Sequence, residues 1–189
     1  SEVQLAELPE PAPPAMDRAF RLQQAVTAAL GWEQCGWKIG CTSLRAQKAL
    51  NADGPFPGTM FAHRVFKSGD HVPTIASNKR VVEPEVAFVM AKSLPPRGTP
   101  YARDDVLSAV AAVHAAIEVV NPRTPKGFAD PVPWFVVDGG LNDSIVLGPA
   151  AAAGHPQVVD ASAETFEWAG CRQGCGVERV DGHREIPVA

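Results

Sequence analysis

Three glutamates and one lysine carry the chemistry this sequence is equipped to perform. Glu83 and Glu85 lie two residues apart in Val81-Val82-Glu83-Pro84-Glu85-Val86-Ala87-Phe88-Val89-Met90, a run whose β-branched and aromatic residues read as a strand. Side chains alternate faces along a strand, so both carboxylates point the same way, near enough to grip one cation. Like charges so close repel, which suits a solvated face or a positive ion held between them. Glu118 stands alone in the apolar run Ala115-Ala116-Ile117-Glu118-Val119-Val120. By itself it would read as a charge guarding an edge strand against aggregation. Beside Glu83 and Glu85 it would complete three hard oxygen ligands, a set that suits Mg²⁺ or Mn²⁺ with water and substrate filling an octahedron. Lys38 lies in a short strand, Trp37 to Cys41, and faces opposite to Trp37 and Ile39. On composition alone a lysine there faces water; poised over a metal-bound substrate, it would shuttle protons.

Three pieces occur in order along the chain: Gly36-Trp37-Lys38-Ile39-Gly40-Cys41-Thr42-Ser43, Val82-Glu83-Pro84-Glu85-Val86-Ala87-Phe88 and Ala116-Ile117-Glu118-Val119-Val120. Together they resemble the 2-keto-4-pentenoate hydratase and 4-oxalocrotonate decarboxylase group of the fumarylacetoacetate hydrolase superfamily, over Asp17 to Pro149. The resemblance implies a metal held by Glu83, Glu85 and Glu118, and a working lysine at Lys38. It also implies a substrate side that includes Thr42 and Ser43. Asp138, in Asp138-Gly139-Gly140-Leu141-Asn142-Asp143-Ser144, matches an acid that the group carries between two strands, which gives it a role near the substrate. The hydrolase branch of the superfamily typically places a His–Glu dyad on a short helix after the lysine motif. No His lies between Thr42 and Met60, so C–C bond hydrolysis is disfavoured. The Asp pair that the hydratase branch often shows near Thr59-Met60 is also missing here, which bears on substrate and proton relay.

The implied reaction is that of a metal-dependent lyase acting on a small 2-hydroxy-dienoate or 2-oxo-enoate acid through a metal-stabilised enolate. A hydratase is the first expectation. Decarboxylation of a 2-oxo acid uses the same stabilisation and is the alternative, and a non-catalytic structural subunit is the third reading. Expected partners are a small 2-oxo-acid substrate, further copies of the chain as a homo-oligomer, and a related decarboxylase or hydratase subunit.

The elements that must position these groups follow from size and pattern. With 189 residues, 46% hydrophobic and 20% charged, the chain can bury a core as one ordinary domain. A net charge of -4 offers no electrostatic pull toward nucleic acid or an anionic membrane. No apolar run reaches the roughly 20 residues that span a bilayer. The acid- and proline-rich start lacks the pattern of a signal peptide, and the 4 cysteines show no disulfide-dense spacing. A cytoplasmic protein with reduced thiols is expected. The prolines within residues 1–15 predict an extended arm, residues 16–149 the catalytic domain, and residues 150–189 a divergent tail that completes or flanks it.

Within the domain, Asp17 is expected to cap a helix through Phe20, Leu22, Val26 and Leu30, ended by Gly31. A short helix over Leu44 and Ala46 to Leu50 should lead into a Gly- and Pro-rich loop. Asp104 or Asp105 should cap a helix through Val106, Val110 and Val113, carrying His114 near its end as a packing residue, before a strand from Ala116 to Val120. Trp134 to Val137 and Ile145 to Gly148 read as two more strands. Arg123 and Lys126, in the Pro-rich loop from Asn121 to Pro133, could hold a substrate carboxylate. In the tail, Cys171, Cys175 and His183 lack a standard zinc spacing and a fourth ligand. The fold class expected is α+β: a mixed, mostly antiparallel curved sheet, the β-roll implied by the resemblance, with a few flanking helices.

Overall fold

The computed structural model describes residues 4–10, 13–74 and 79–151. The expected tail, with Cys171, Cys175 and His183, lies outside the described residues beyond position 151, as do parts of the N-terminal arm. In chain order the elements are α1 (Met16–Leu30), β1 (Gln34–Gly40), α2 (Leu44–Leu50), β2 (Phe56–Phe61), β3 (Val65–Lys67), β4 (Val81–Met90), α3 (Arg103–Ser108), β5 (Val110–Val120), α4 (Val132–Val137) and β6 (Asn142–Ala150). They form a mixed α+β fold. β1 and β2 make a two-stranded antiparallel ladder, and β3-β6-β5-β4 make a four-stranded sheet in which only the β3–β6 pair is parallel.

β4 and β5 form the long central pair, in register from Val81 opposite Val120 to Phe88 opposite Val113. Their β-branched residues fit the pleated surface, and cross-strand neighbours support one another along its length. β6 covers the other edge of β5, with Glu118 opposite Ile145 and Val120 opposite Asn142.

α1 begins at Met16, where an ordered domain is expected. Its N-cap is Ala15, without a side-chain cap; Asp17 sits in the first turn and pairs with Arg21 at 3.0 Å. Gly31 ends the helix at φ 62, the left-handed conformation in which an absent Cβ removes the steric penalty. Ala19 of α1 enters a core with Phe56, Val120, Val132, Phe135, Val136 and Leu141. Buried Gln23 fastens this packing by donating from Nε2 to the carbonyls of Val136 at 2.6 Å and Pro57 at 3.1 Å. One side chain thereby ties α1 to both α4 and β2.

Two expectations fail. Trp134 to Val137 is not a strand but part of helix α4, with Pro133 in its first turn, where proline is preorganised for a helix. Trp134, Phe135 and Val136 are all buried, so the run is apolar on every side, and periodicity cannot separate a buried strand from a buried turn of helix. The helix expected through Val113 stops at Ser108, and β5 starts at Val110 rather than Ala116. The run Val110-Ala111-Ala112-Val113 reads as helical by composition, but pairing with Phe88, Val89 and Met90 of β4 overrides that preference. His114 is therefore a strand residue, its Nδ1 bonded to the carbonyl of Gly148 at 2.8 Å. At the start of α3, Asp105 reaches back to accept from the main-chain nitrogen of Ala102, so it serves the helix end from its third position.

Candidate metal centre

Glu83 and Glu85 share one face of β4, and the antiparallel register sets Glu118 of β5 directly opposite Glu83. Opposite residues project to the same side of the sheet, so the ladder gathers all three carboxylates. Glu85 faces Ala116, whose small side chain leaves room beside the acids. Carboxylate oxygens of the three residues lie within 4.8 Å of one another. A hexacoordinate Mg²⁺ with bonds of about 2.1 Å spans about 4.2 Å between opposite ligands, so a small closure of the side chains would bring them onto one ion.

The electrostatics match an incomplete cation site. Glu118 is 2% exposed; its burial raises the carboxyl's pKa, against the pull of Lys38 and a hydrogen bond from Asn142. Glu85 is pushed up to about 7, first by burial and then by the charges of Glu118 and Glu83, while Lys38 opposes the shift. A divalent ion among these oxygens would remove both penalties, since an adjacent opposite charge favours the ionised form. The donor set fits Mg²⁺ or Mn²⁺, being all-oxygen and short of a full coordination shell.

Lys38 reaches the site from the other ladder. Its Nζ lies 3.5 Å from Glu118 Oε1, and its side chain is 10% exposed. The water-facing reading of this lysine therefore fails, because β1 turns that face toward the four-stranded sheet. The ammonium also sits 5.9 Å from the Phe56 ring centroid, within the range of a cation–π contact.

Asn142, which residue spacing does not single out, donates from Nδ2 to Glu118 Oε1 at 2.8 Å. It is held at the start of β6 from two directions. Buried Arg64 pairs with Asp143 and donates from Nε to its carbonyl at 3.0 Å, while Arg123 Nη2 donates to the carbonyl of Asn142 at 3.0 Å. A polar residue closing a Gly-Gly turn ahead of an apolar strand carries no pattern specific to such a contact.

Asp138 and Arg123 are brought together, but with each other. The main-chain nitrogen of Arg123 donates to Asp138 Oδ2 at 2.8 Å, its Nε donates to Oδ1, and its Nη2 donates to the Asp138 carbonyl at 2.7 Å. Burial raises the Asp138 carboxyl, and the Arg123 guanidinium beside it pulls the other way. Gln4 and Leu5 brace the same loop, through Nε2 of Gln4 to the Thr124 carbonyl at 2.8 Å and the Leu5 nitrogen to the Arg123 carbonyl at 2.7 Å. Thr42 and Ser43 are exposed just beyond β1, and the Ser43 hydroxyl accepts from Ala46 N at 3.1 Å as the cap of α2. His63 stacks edge-on with Trp32 at 4.7 Å.

No family model matches the chain. Among curated proteins it is 39% identical over 88 residues to a 2-keto-4-pentenoate hydratase of Burkholderia vietnamiensis G4, covering 47% of this chain and 33% of that protein. It is 33% identical over 138 residues to 2-keto-4-pentenoate hydratase 2 of Dechloromonas aromatica strain RCB, covering 70% of this chain and 50% of that protein. The chain thus spans between a third and a half of the length of these relatives. Among solved structures it resembles 4-oxalocrotonate decarboxylase from Pseudomonas putida G7 complexed with magnesium and adipate, with a TM-score of 0.58 and 20% identity over 72% of this chain and 52% of that one. The same enzyme complexed with calcium and acetate matches equally, at a TM-score of 0.58 and 19% identity. The chain is a relative of the 2-keto-4-pentenoate hydratases in sequence, and over the part they have in common it shares the fold of 4-oxalocrotonate decarboxylase.

Proposed function

We propose that this chain carries the metal centre of a hydro-lyase that adds water to a small 2-hydroxy-dienoate acid, as a cytoplasmic enzyme of aromatic catabolism. The observation that carries the reading is the juxtaposition of Glu83, Glu85 and Glu118 with Lys38, whose ammonium lies 3.5 Å from Glu118. Relatives named 2-keto-4-pentenoate hydratase support the substrate class. Residues 16–149 form the catalytic domain in this reading, with the sheets curved as a roll and the assembly a homo-oligomer.

In this mechanism Glu83, Glu85 and Glu118 would hold Mg²⁺ or Mn²⁺, which when bound would supply Lewis acidity and charge to a 2-oxo acid. Asn142 fixes the Glu118 carboxylate by donating to its Oε1. The Lys38 ammonium gives a proton to the far carbon of the diene and regains one from the substrate's 2-hydroxyl, giving a 2-oxo-3-enoate. Water then adds across that double bond, its hydroxyl to the carbon distal to the ketone and its proton to the neighbouring carbon. Exposed Thr42 and Ser43 lie on the substrate side. Arg123 acts there with Asp138, holding the turn at Gly139 and Gly140 rather than meeting substrate with its committed Nε and Nη2 donors.

A 2-oxo-acid decarboxylase is the second reading, favoured by the shared fold of 4-oxalocrotonate decarboxylase. The test is thermal unfolding with Mg²⁺ or Mn²⁺, with and without oxalate as a 2-oxo-acid mimic, followed by turnover of 2-hydroxypenta-2,4-dienoate and of 4-oxalocrotonate. A ligand that binds only the folded state stabilises by about 2.7 kcal/mol at a hundredfold excess over Kd. A joint shift with metal and oxalate, together with consumption of the dienoate, is expected. Release of CO₂ from oxalocrotonate without hydration would favour the decarboxylase. A shift with neither ligand and no turnover would leave a structural subunit as the reading.

A further inference from the structure

We infer that Gly40 and Gly140 line a slot without side chains that steers the Lys38 ammonium onto Glu118, which makes both glycines positioning residues for the proton relay proposed above. Lys38 and Gly40 share one face of β1. A Cβ added at Gly40 would stand 3.0 Å from Lys38 Nζ and 3.2 Å from Phe56 Cε2. One added at Gly140 would stand 2.8 Å from Lys38 Cε and 2.9 Å from Gly58 Cα. The end of the lysine side chain therefore lies close against two glycines on separate segments, with the Phe56 ring near its tip.

The two glycines differ in what their backbones ask for. Gly140 has φ +70, a left-handed conformation that favours glycine whatever surrounds it. Gly40 is not among the residues with positive φ. Glycine within a strand weakens it and marks close approach by something else. The close approach at Gly40 is that of its own neighbour's ammonium. A lysine has four rotatable bonds, and ordering them opposes a fixed position; a side chain at either glycine would crowd the course that carries the ammonium to Glu118.

This deepens the proposed function and rests on it, but its first readout needs neither metal nor substrate. Acylation of lysines by acetic anhydride, followed by peptide mass spectrometry, reports the accessibility of each amine. In the full chain Lys38 should react slowly and the exposed Lys48 and Lys67 quickly. Gly40→Ala should speed the acylation of Lys38 several-fold and leave Lys48 and Lys67 unchanged. Gly36→Ala is the control on the same strand, since its Cβ would meet only Met60 Sδ at 3.9 Å; it should leave Lys38 slow. In turnover, Gly40→Ala should lower kcat on the order of tenfold to a hundredfold with little change in KM, the mark of a misplaced reacting group. If the Phe56 contact prevents Gly40→Ala from folding, Gly40→Ala with Phe56→Leu relieves that contact and keeps the one with Lys38. Unchanged acylation of Lys38 in a folded variant, or a kcat equal to that of the parent, overturns the slot. An inactive parent counts against the proposed reaction instead, and the acylation rates still decide the slot.

Discussion

Replacing Glu85 by glutamine should stabilise the metal-free chain and abolish its response to metal. The folded-state pKa of Glu85 is pushed from 4.5 up to about 7 by burial and by Glu118 and Glu83. For an acid whose folded pKa is raised, the native state binds the proton more tightly than the unfolded chain between those two values. Stability is therefore greatest at low pH and falls as pH climbs from 4.5 to about 7. A gap of about 2.5 units corresponds to about 3.4 kcal/mol at 1.36 kcal/mol per unit. Glu85 is only part-buried, and solvent screening reduces this to about 1–2 kcal/mol. Glu85→Gln removes that penalty at pH 8 and changes little at pH 4.5, which in a chain of this size means a midpoint higher by about 2–8 °C at the upper pH alone. The assay is thermal unfolding of parent and variant across pH 4.5–8 in chelator, then in Mg²⁺. With Mg²⁺ the order should invert, because only the parent gains ligand stabilisation. A variant less stable than the parent at pH 8 in chelator, or a difference independent of pH, refutes the reasoning.

Lys38→Met keeps length and apolar bulk but removes the ammonium 3.5 Å from Glu118; turnover should be lost while Mg²⁺ still raises the unfolding midpoint. Gln23→Ala leaves the buried carbonyl of Val136 and the part-buried carbonyl of Pro57 without their shared donor, and urea denaturation should show a loss of about 1–3 kcal/mol. Arg123→Ala strands the Asp138 carboxylate in a part-buried site and should cost about 3 kcal/mol by the same measurement. Asp138→Asn together with Arg123→Ala should recover part of that loss, since no buried charge is then left unpaired.

Side-chain alternation made the Glu83–Glu85 pair legible from sequence, because a period of two leaves no freedom once the strand is accepted. Glu118 was legible as an anomaly, one carboxylate within an apolar run, but its register opposite Glu83 depends on a pairing that no local pattern encodes. Local signals also gave the extent of α1 and its glycine stop. They failed at α4, where an apolar run offers no polar face to show its period, and at the first half of β5, where alanines suit either state until Phe88 and Val89 pair with them. Lys38 was ambiguous for a related reason. Its face follows from alternation, but whether that face meets water depends on how the β1–β2 ladder packs against the sheet. Asn142 and the Arg123–Asp138 pair belong to tertiary contacts between segments 15 or more residues apart, and only the assembled chain shows them.

The measurement that bears most directly on the account is a titration of the chain with Mn²⁺, followed by the electron paramagnetic resonance of the free ion, with and without oxalate. The account predicts one site per chain, tightened by oxalate and lost in Glu118→Gln. A parent that binds no Mn²⁺, or a site that survives Glu118→Gln unchanged, would contradict it.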